Sequence, residues 1–230
     1  MHVLDNPVWH ALTGTHATVA EHAGLAARYE PDVAAFAAIA DDPTPEAWDA
    51  LAGLVGPGAT AILARHELHV PEPWTVAFKM PCLQMWLPDD AADGDDDALA
   101  PGPIVPLGDP DVPEMLALVD RTRPGPFVTR TVELGTYLGV RDRGELIAMA
   151  GERLHPAGFT EISAVCTDSE YRGKGLASRL VRAVVRGIRA RSEMPFLHLT
   201  TENETAHRVY SALGFDTRTE LSVIGVRAPG

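Results

Sequence analysis

Residues 159–178 read FTEISAVCTDSEYRGKGLAS, and the fold turns on the change of character half-way along this stretch. The first half, 160–167, is β-branched and apolar enough to form a strand. The second half, from Arg172 to Ser178, is basic and glycine-containing, and it runs straight into LASRLVRAVVRGIRA, whose apolar residues return at helical spacing. A strand that stops at a glycine turn and feeds a helix N-terminus is suited to holding phosphate. The unpaired amide N–H groups of the first turn point at the anion, and the helix dipole favours negative charge there. Gly173 and Gly175 let the backbone approach a ligand without a Cβ in the way. Arg172 and Lys174 add positive charge, so the stretch reads as a pyrophosphate cradle.

Working outward, residues 104–107 form a short strand, and Asp109 or Asp111 is placed to cap the helix VPEMLALVDRT, with Met115, Leu116 and Val119 on one face. Pro124-Gly125-Pro126 ends that helix. Residues 136–141 and 145–154 read as two strands around the turn Asp142-Arg143-Gly144, a hairpin signal. Past the cradle, 195–200 is another strand, 203–213 a helix stopped by Gly214, and 215–226 a final strand or pair.

The N-terminal part is less informative. HATVAEHAGLAARYE (residues 16–30) has a helical look, with Val19, His22, Ala23, Ala26 and Ala27 on one side. Residues 45–51 predict a helix with Thr44 as N-cap, Pro45 in the first position, and Gly53 or Gly56 as the stop. ATAILARHELHV (59–70) and WTVAFKMPCLQMWL (74–87) read as strands. Residues 88–103, PDDAADGDDDALAPGP, are acidic and poor in apolar side chains, which sets an expected boundary between domains at 1–102 and 103–230.

Composition narrows the function. The chain has 230 residues and a formal charge of −13, with no run of apolar residues long enough for a membrane helix. Residues 1–102 carry sixteen acidic side chains against Arg28, Arg65 and Lys79, while residues 103–230 are balanced at sixteen of each sign. Such a surface argues against nucleic acid as a partner and for solubility. A sharper reading is that it attracts a cationic substrate. Two distant cysteines, Cys82 and Cys166, and no signal-peptide pattern point to a reduced, cytoplasmic setting.

Two motifs together resemble the GNAT superfamily of acyl-CoA-dependent N-acyltransferases. The first is Arg172-Gly173-Lys174-Gly175-Leu176-Ala177. The second is Asn203, Ala206, Tyr210, Gly214 and Phe215, an Asn before a helix that carries a Tyr and ends in Gly-Phe. The resemblance spans residues 103–226. It implies an α+β fold with a mixed, mostly antiparallel central sheet flanked by helices, and an N-terminal α+β part that could be a degenerate copy. It implies acetyl-CoA or another acyl-CoA as co-substrate, no metal, and direct transfer of acetyl to a primary amine in a ternary complex. The amine could be a small molecule or a peptide, and the protein a monomer or homodimer.

The same resemblance assigns a site. Backbone groups of Val165, Cys166 and Thr167 would bond the pantetheine arm, with the Val165 N–H facing the thioester oxygen. Amides of Gly173 through Ser178 would hold the pyrophosphate, and Asn203 the cofactor arm or a water. Tyr210 would protonate the leaving thiolate, and Glu161 would be the general base, with Glu152 in reserve. The chemistry independently asks for such groups, since an amine is mostly protonated at neutral pH and must lose a proton before attack. Cys166 reads as a small buried strand residue rather than a nucleophile. The alternative to an enzyme is a non-catalytic module that binds acyl-CoA as sensor or scaffold.

Other motifs fail. His66-Glu67-Leu68-His69 is one residue short of the zinc-protease spacing. Gly173-Lys174-Gly175 begins a dinucleotide fingerprint, but Ser178 stands where its third glycine belongs. A Walker A loop needs Ser or Thr after Gly-Lys, and Gly175 follows Lys174 instead.

Overall fold

A computed structural model of the chain describes residues 2–88 and 102–230. In chain order these form α1 (Pro7–Leu12), β1 (Ala20–Ala23), β2 (Ala26–Tyr29), β3 (Ala37–Ile39), α2 (Pro45–Val55), β4 (Thr60–Arg65) and β5 (Thr75–Trp86). Then follow β6 (Ile104–Leu107), α3 (Val112–Thr122), β7 (Tyr137–Asp142), β8 (Glu145–Glu152), β9 (Phe159–Thr167), α4 (Leu176–Ala190), β10 (Met194–Thr200), α5 (Glu204–Ala212) and β11 (Asp216–Arg227).

Eight of the strands share one sheet in the order β4-β11-β5-β10-β9-β8-β7-β6, antiparallel throughout except for the β9–β10 pair. β1, β2 and β3 make a separate antiparallel sheet. The α+β class holds. The expected boundary does not divide the sheet, because β4 and β5 from the N-terminal part lie in it beside β11 and β10. Nor do the described residues before 89 build a second copy of the fold: they supply α1, α2, a three-stranded sheet and two strands of the large one. Residues 89–101, most of the expected linker, lie outside the described residues.

α4 shows why sequence pattern becomes packing. Leu176, Leu180, Val181, Val184, Val185 and Ile188 recur at helical spacing and all are buried. They pack on Ala148, Ala150, Ile162, Leu197 and Leu199 of the sheet. At about 1.5–3 kcal/mol for each buried aliphatic side chain, that one stripe holds the helix in place. Neighbouring residues of the same strands face the other way. Met149 and Cys166 meet Met115 and Leu118 of α3, and Phe196 meets Leu4, Val8 and Phe36 of the N-terminal part. The first helix and its neighbours therefore cover the sheet face opposite α4, whereas Trp48 and Leu51 of α2 pack with Leu63 and Ile224 from the alternate positions of β4 and β11.

The helix expected over 16–30 is a hairpin instead. Gly24, at φ +53°, supplies the left-handed turn between β1 and β2. The helical pattern there rested on alanines, which offer little area to bury, so tertiary contacts decide. Tyr29 goes into the core, and its hydroxyl is hydrogen-bonded to Nδ1 of the buried His16 at 2.8 Å. The imidazole of His16 lies 5.1 Å from that of His155, across the seam between the N-terminal part and the β8–β9 turn. Among the described residues no helix is long and apolar enough to cross a membrane, and no cluster of three or more His, Cys, Asp or Glu could hold a metal ion.

Burial, reinforced by the neighbouring imidazole, drops His16 to about 4, and burial also lowers His155. Both groups bind a proton more readily once unfolded. Stability should therefore fall as pH is lowered from 6.5 towards 4, by an amount of order 3 kcal/mol for His16 alone. Urea midpoints measured across that window should decline in the wild type, and the decline should shrink in His16→Gln. An unchanged slope in the variant would mean that His16 is not the titrating group.

Candidate active site

The site begins where a ladder stops. β9 and β10 pair only over Phe159–Glu161 against Met194–Phe196. β9 then runs on to Thr167 and β10 to Thr200 without pairing each other, so the two strands form a fork whose apex is the Glu161–Phe196 pair. β10 stays bonded to β5 up to Thr200–Cys82, and β9 stays bonded to β8 up to Thr167–Ala148. On β9 the register against β8 shifts by one residue, and Ala164 takes φ +53° in the resulting bulge. Bulges re-aim backbone groups, and this one lies on the inner arm of the fork beside Val165.

The cradle closes the end of that arm. Gly173 and Gly175 adopt φ +75° and +76°, with open space where a Cβ would stand. Gly175 is the N-cap of α4, and no side chain caps the helix, so the first-turn amides keep their capacity for an anion. Arg172 and Lys174 are exposed but engaged at home: Arg172 Nε donates to the Thr167 carbonyl at 3.3 Å, and Lys174 Nζ sits 4.6 Å from the centre of the Tyr171 ring. The buried Thr167 Oγ1 has no hydrogen-bond partner among the described residues. An orphaned hydroxyl, uncapped amides and two open glycines are a donor set that fits the polar arm and diphosphate of an acyl-CoA.

α5 follows the other arm, β10, and packs on the same core cluster as α4. Asn203 Oδ1 accepts from the Ala206 N–H at 3.0 Å, so this residue is first a helix cap, with its amide NH2 left over. Tyr210 packs edge-on against Phe215 and against the α4 side of the core, and its hydroxyl has no hydrogen-bond partner among the described residues. Burial, with a contribution from nearby Cys166, raises the phenol to about 12. Cys166 itself is raised to about 11 by burial, which keeps the thiol protonated and inert.

Glu161 is placed differently from what a general base requires. It is fully buried, and Oε1 accepts from Arg153 Nη2 at 2.7 Å and His198 Nδ1 at 2.6 Å, while Oε2 accepts from Arg153 Nε at 2.8 Å. Burial alone would raise the carboxyl, but Arg153 and His198 outweigh it and hold it near 2. A carboxylate so strongly acidic and so fully bonded is a poor proton acceptor. Glu152 is no freer: it is buried, bonded to Arg191 at 2.9 Å and to the Thr136 N–H at 3.1 Å.

Residues that the sequence reading missed complete this cluster. Gln84 Oε1 accepts from Arg218 at 2.7 Å, so Gln84 Nε2 is the donor to the Leu4 carbonyl and to His198 Nε2. His198 must therefore carry its proton on Nδ1 and give it to Glu161. Arg218 also pairs with Asp5. One signal was available: Arg153 and Glu161 stand symmetrically about the turn at 155–158. Gln84 and His198 had none, because their pairing depends on β5 entering the sheet beside β10.

Comparison with known proteins bears on family and fold. Residues 137–223 match the family model described as FR47-like protein. The solved structure of a protein from Novosphingobium aromaticivorans, assigned to the GNAT family of acetyltransferases, is 39% identical with a TM-score of 0.87 and aligns over 100% of both chains. A GCN5-related N-acetyltransferase from Kribbella flavida shares the fold at 16% identity, TM-score 0.63, over 97% of this chain and 96% of the other. No curated protein matches the sequence.

Removing the charge of Glu161 leaves Arg153 buried without its partner. Glu161→Gln should cost about 3–5 kcal/mol in a denaturant titration. Adding Arg153→Met to that variant should recover a large part of the loss. A single variant within 1 kcal/mol of wild type would show that the pair does not hold the apex.

Proposed function

The chain belongs to the GNAT family of acetyltransferases, and on that premise we propose that it transfers acetyl from acetyl-CoA to a primary amine by direct attack, with both substrates bound together. The observation that carries this reading is the fork: two adjacent strands that part at Glu161–Phe196 and leave the β9 backbone open as far as the glycine cradle.

Acetyl-CoA would supply an activated thioester. Amides of Gly173, Lys174, Gly175, Leu176, Ala177 and Ser178 would hold its diphosphate, helped by the charge on Arg172 and Lys174. Backbone groups of Val165, Cys166 and Thr167 would take the pantetheine arm as a strand takes a neighbour, with the spare Asn203 amide beside it. The Val165 N–H, aimed by the Ala164 bulge, would donate to the thioester oxygen as negative charge develops there. The amine nitrogen attacks the acyl carbon, the new C–N bond forms, and the C–S bond breaks. Nitrogen loses one proton and sulfur gains one, so the step balances without an acyl-enzyme.

The magnitudes limit what each side chain does. A phenol at about 12 does not readily surrender its proton to a thiolate whose conjugate acid lies near ~8.5. Tyr210 is better cast as a hydrogen-bond donor that steadies the departing sulfur. With Glu161 and Glu152 both bonded within the protein, the acceptor's proton goes to solvent and the reactive species is the free amine. A sensor that binds acetyl-CoA without turning it over is the second reading, favoured by the engagement of both Glu161 and Glu152 within the protein.

Thiol release from acetyl-CoA across an amine panel decides between them. Tyr210→Phe should lower kcat on the order of 100-fold with little change in KM for acetyl-CoA. Ligand-induced stabilisation with no thiol release from any amine would favour the sensor.

The pH dependence is a separate check. The acidic limb of kcat/KM should move with the pKa of whichever amine is used. A limb fixed at one pH for amines of different basicity would point to an enzyme base.

A further inference from the structure

Among the described residues the exposed large apolar side chains are Leu25, Val76, Phe78 and Met80, and three of these four lie on one strand, β5. That strand is two-sided only in part. Residues Cys82–Trp86 pair with both β10 and β11, whereas Thr75–Pro81 have β11 on one side and, among the described residues, no strand on the other. All seven of these outer residues are exposed. The Phe78 ring lies over Gly225 of β11, where a Cβ would fall 2.2 Å from it, so the apolar surface is seated on the sheet rather than hanging free.

The open edge begins where the fork ends. Counting from the Glu161–Phe196 pair, and allowing one residue for the Ala164 bulge, brings Val165 level with Leu199, which is paired with Leu83, one position before the last β10–β5 pair, Thr200–Cys82. The lane that β10 vacates therefore continues along β5 from just beyond the level at which the thioester would be held. The Thr201 N–H already donates to the Pro81 carbonyl at 3.1 Å, and by alternation the N–H and C=O of Lys79 face the same open side.

Resting on the acetyl-transfer reading, we propose that the acceptor is an extended peptide that adds to the Thr75–Pro81 edge of β5 as an antiparallel strand, its free α-amine at the fork. Such a peptide continues the direction of β10, and it places apolar side chains at alternate positions against Phe78 and Met80. A second copy of the chain fits less well. Seven residues of edge are roughly 23 Å long and some 10 Å deep, about 500 Å² in total once both partners are counted, well below a stable interface. Two chains of charge −13 also repel, whereas a neutral or basic peptide does not.

The test uses the intact protein and three hexapeptides without lysine, each with a free α-amine and apolar residues at alternate positions. One is unmodified, and the other two carry N-methyl groups on the odd or the even amides. Only one set of N–H groups can face β5, so one methylated peptide should show KM raised at least tenfold and the other less than threefold. Val76→Lys and Met80→Glu should each raise KM for the unmodified peptide. The proposal is overturned if both methylated peptides behave alike, or if the amide of the first residue alone matches the hexapeptide in kcat/KM. It is also overturned if light scattering shows a dimer that Met80→Glu dissociates, which would give the edge to a second copy. Turnover of small amines without any gain from peptides sinks this proposal alone, while silence with every amine sinks the acetyl-transfer reading beneath it.

Discussion

The bond between Glu161 and His198 stands at the point where the backbone ladder of β9 and β10 ends. Glu161 belongs to the last paired position, and His198 lies two residues beyond it on the other arm. A side-chain clip thus takes over from main-chain hydrogen bonds where the strands part. Arg153 supplies the compensating charge from the turn side and makes the buried carboxylate tolerable. Without that pair, an ionised group at the apex would face several kcal/mol of desolvation cost and would drive the arms to rearrange.

The clip is anchored through the N-terminal part. Asp5, Arg218, Gln84 and His198 follow one another by hydrogen bonds, and each donor assignment forces the next. Gln84 occupies its place only because β5 runs between β11 and β10. The N-terminal residues are in this sense part of the site's frame, which is consistent with the alignment of the Novosphingobium protein over the full length of both chains. A network in which every member is satisfied rigidifies what it joins, and here it joins the first residues of the chain to the apex of the fork.

Legibility followed the range of the interactions. The cradle, α3, α4 and the β7–β8 hairpin were readable because caps, glycines and apolar periodicity are local, and α3 occupies the residues expected of it. The N-terminal hairpin was not, because alanines carry no strong period and Tyr29 is buried by a distant partner. The two strands 59–70 and 74–87 were visible as strands, but their membership of the large sheet depends on pairings with residues more than a hundred positions away. Glu161 was singled out by position, but the bonds that engage it were not legible: they come from Arg153 and His198, and the second of these is 37 residues distant.

Ala164 gives the last step. A left-handed backbone at a residue with a Cβ costs about 1–2 kcal/mol, and glycine would avoid it. The methyl group is nearly buried with Met115, Met149 and Cys166, which returns about 0.8 kcal/mol for a carbon of that size. Alanine also narrows the unfolded ensemble relative to glycine by roughly 0.4–1 kcal/mol. The terms come close to cancelling, so stability alone does not select either residue. What differs is freedom: a glycine bulge could swing the next N–H among several orientations, whereas a packed methyl allows one. The residue after the bulge is Val165, whose amide is the donor that the acetyl-transfer reading needs aligned before charge develops.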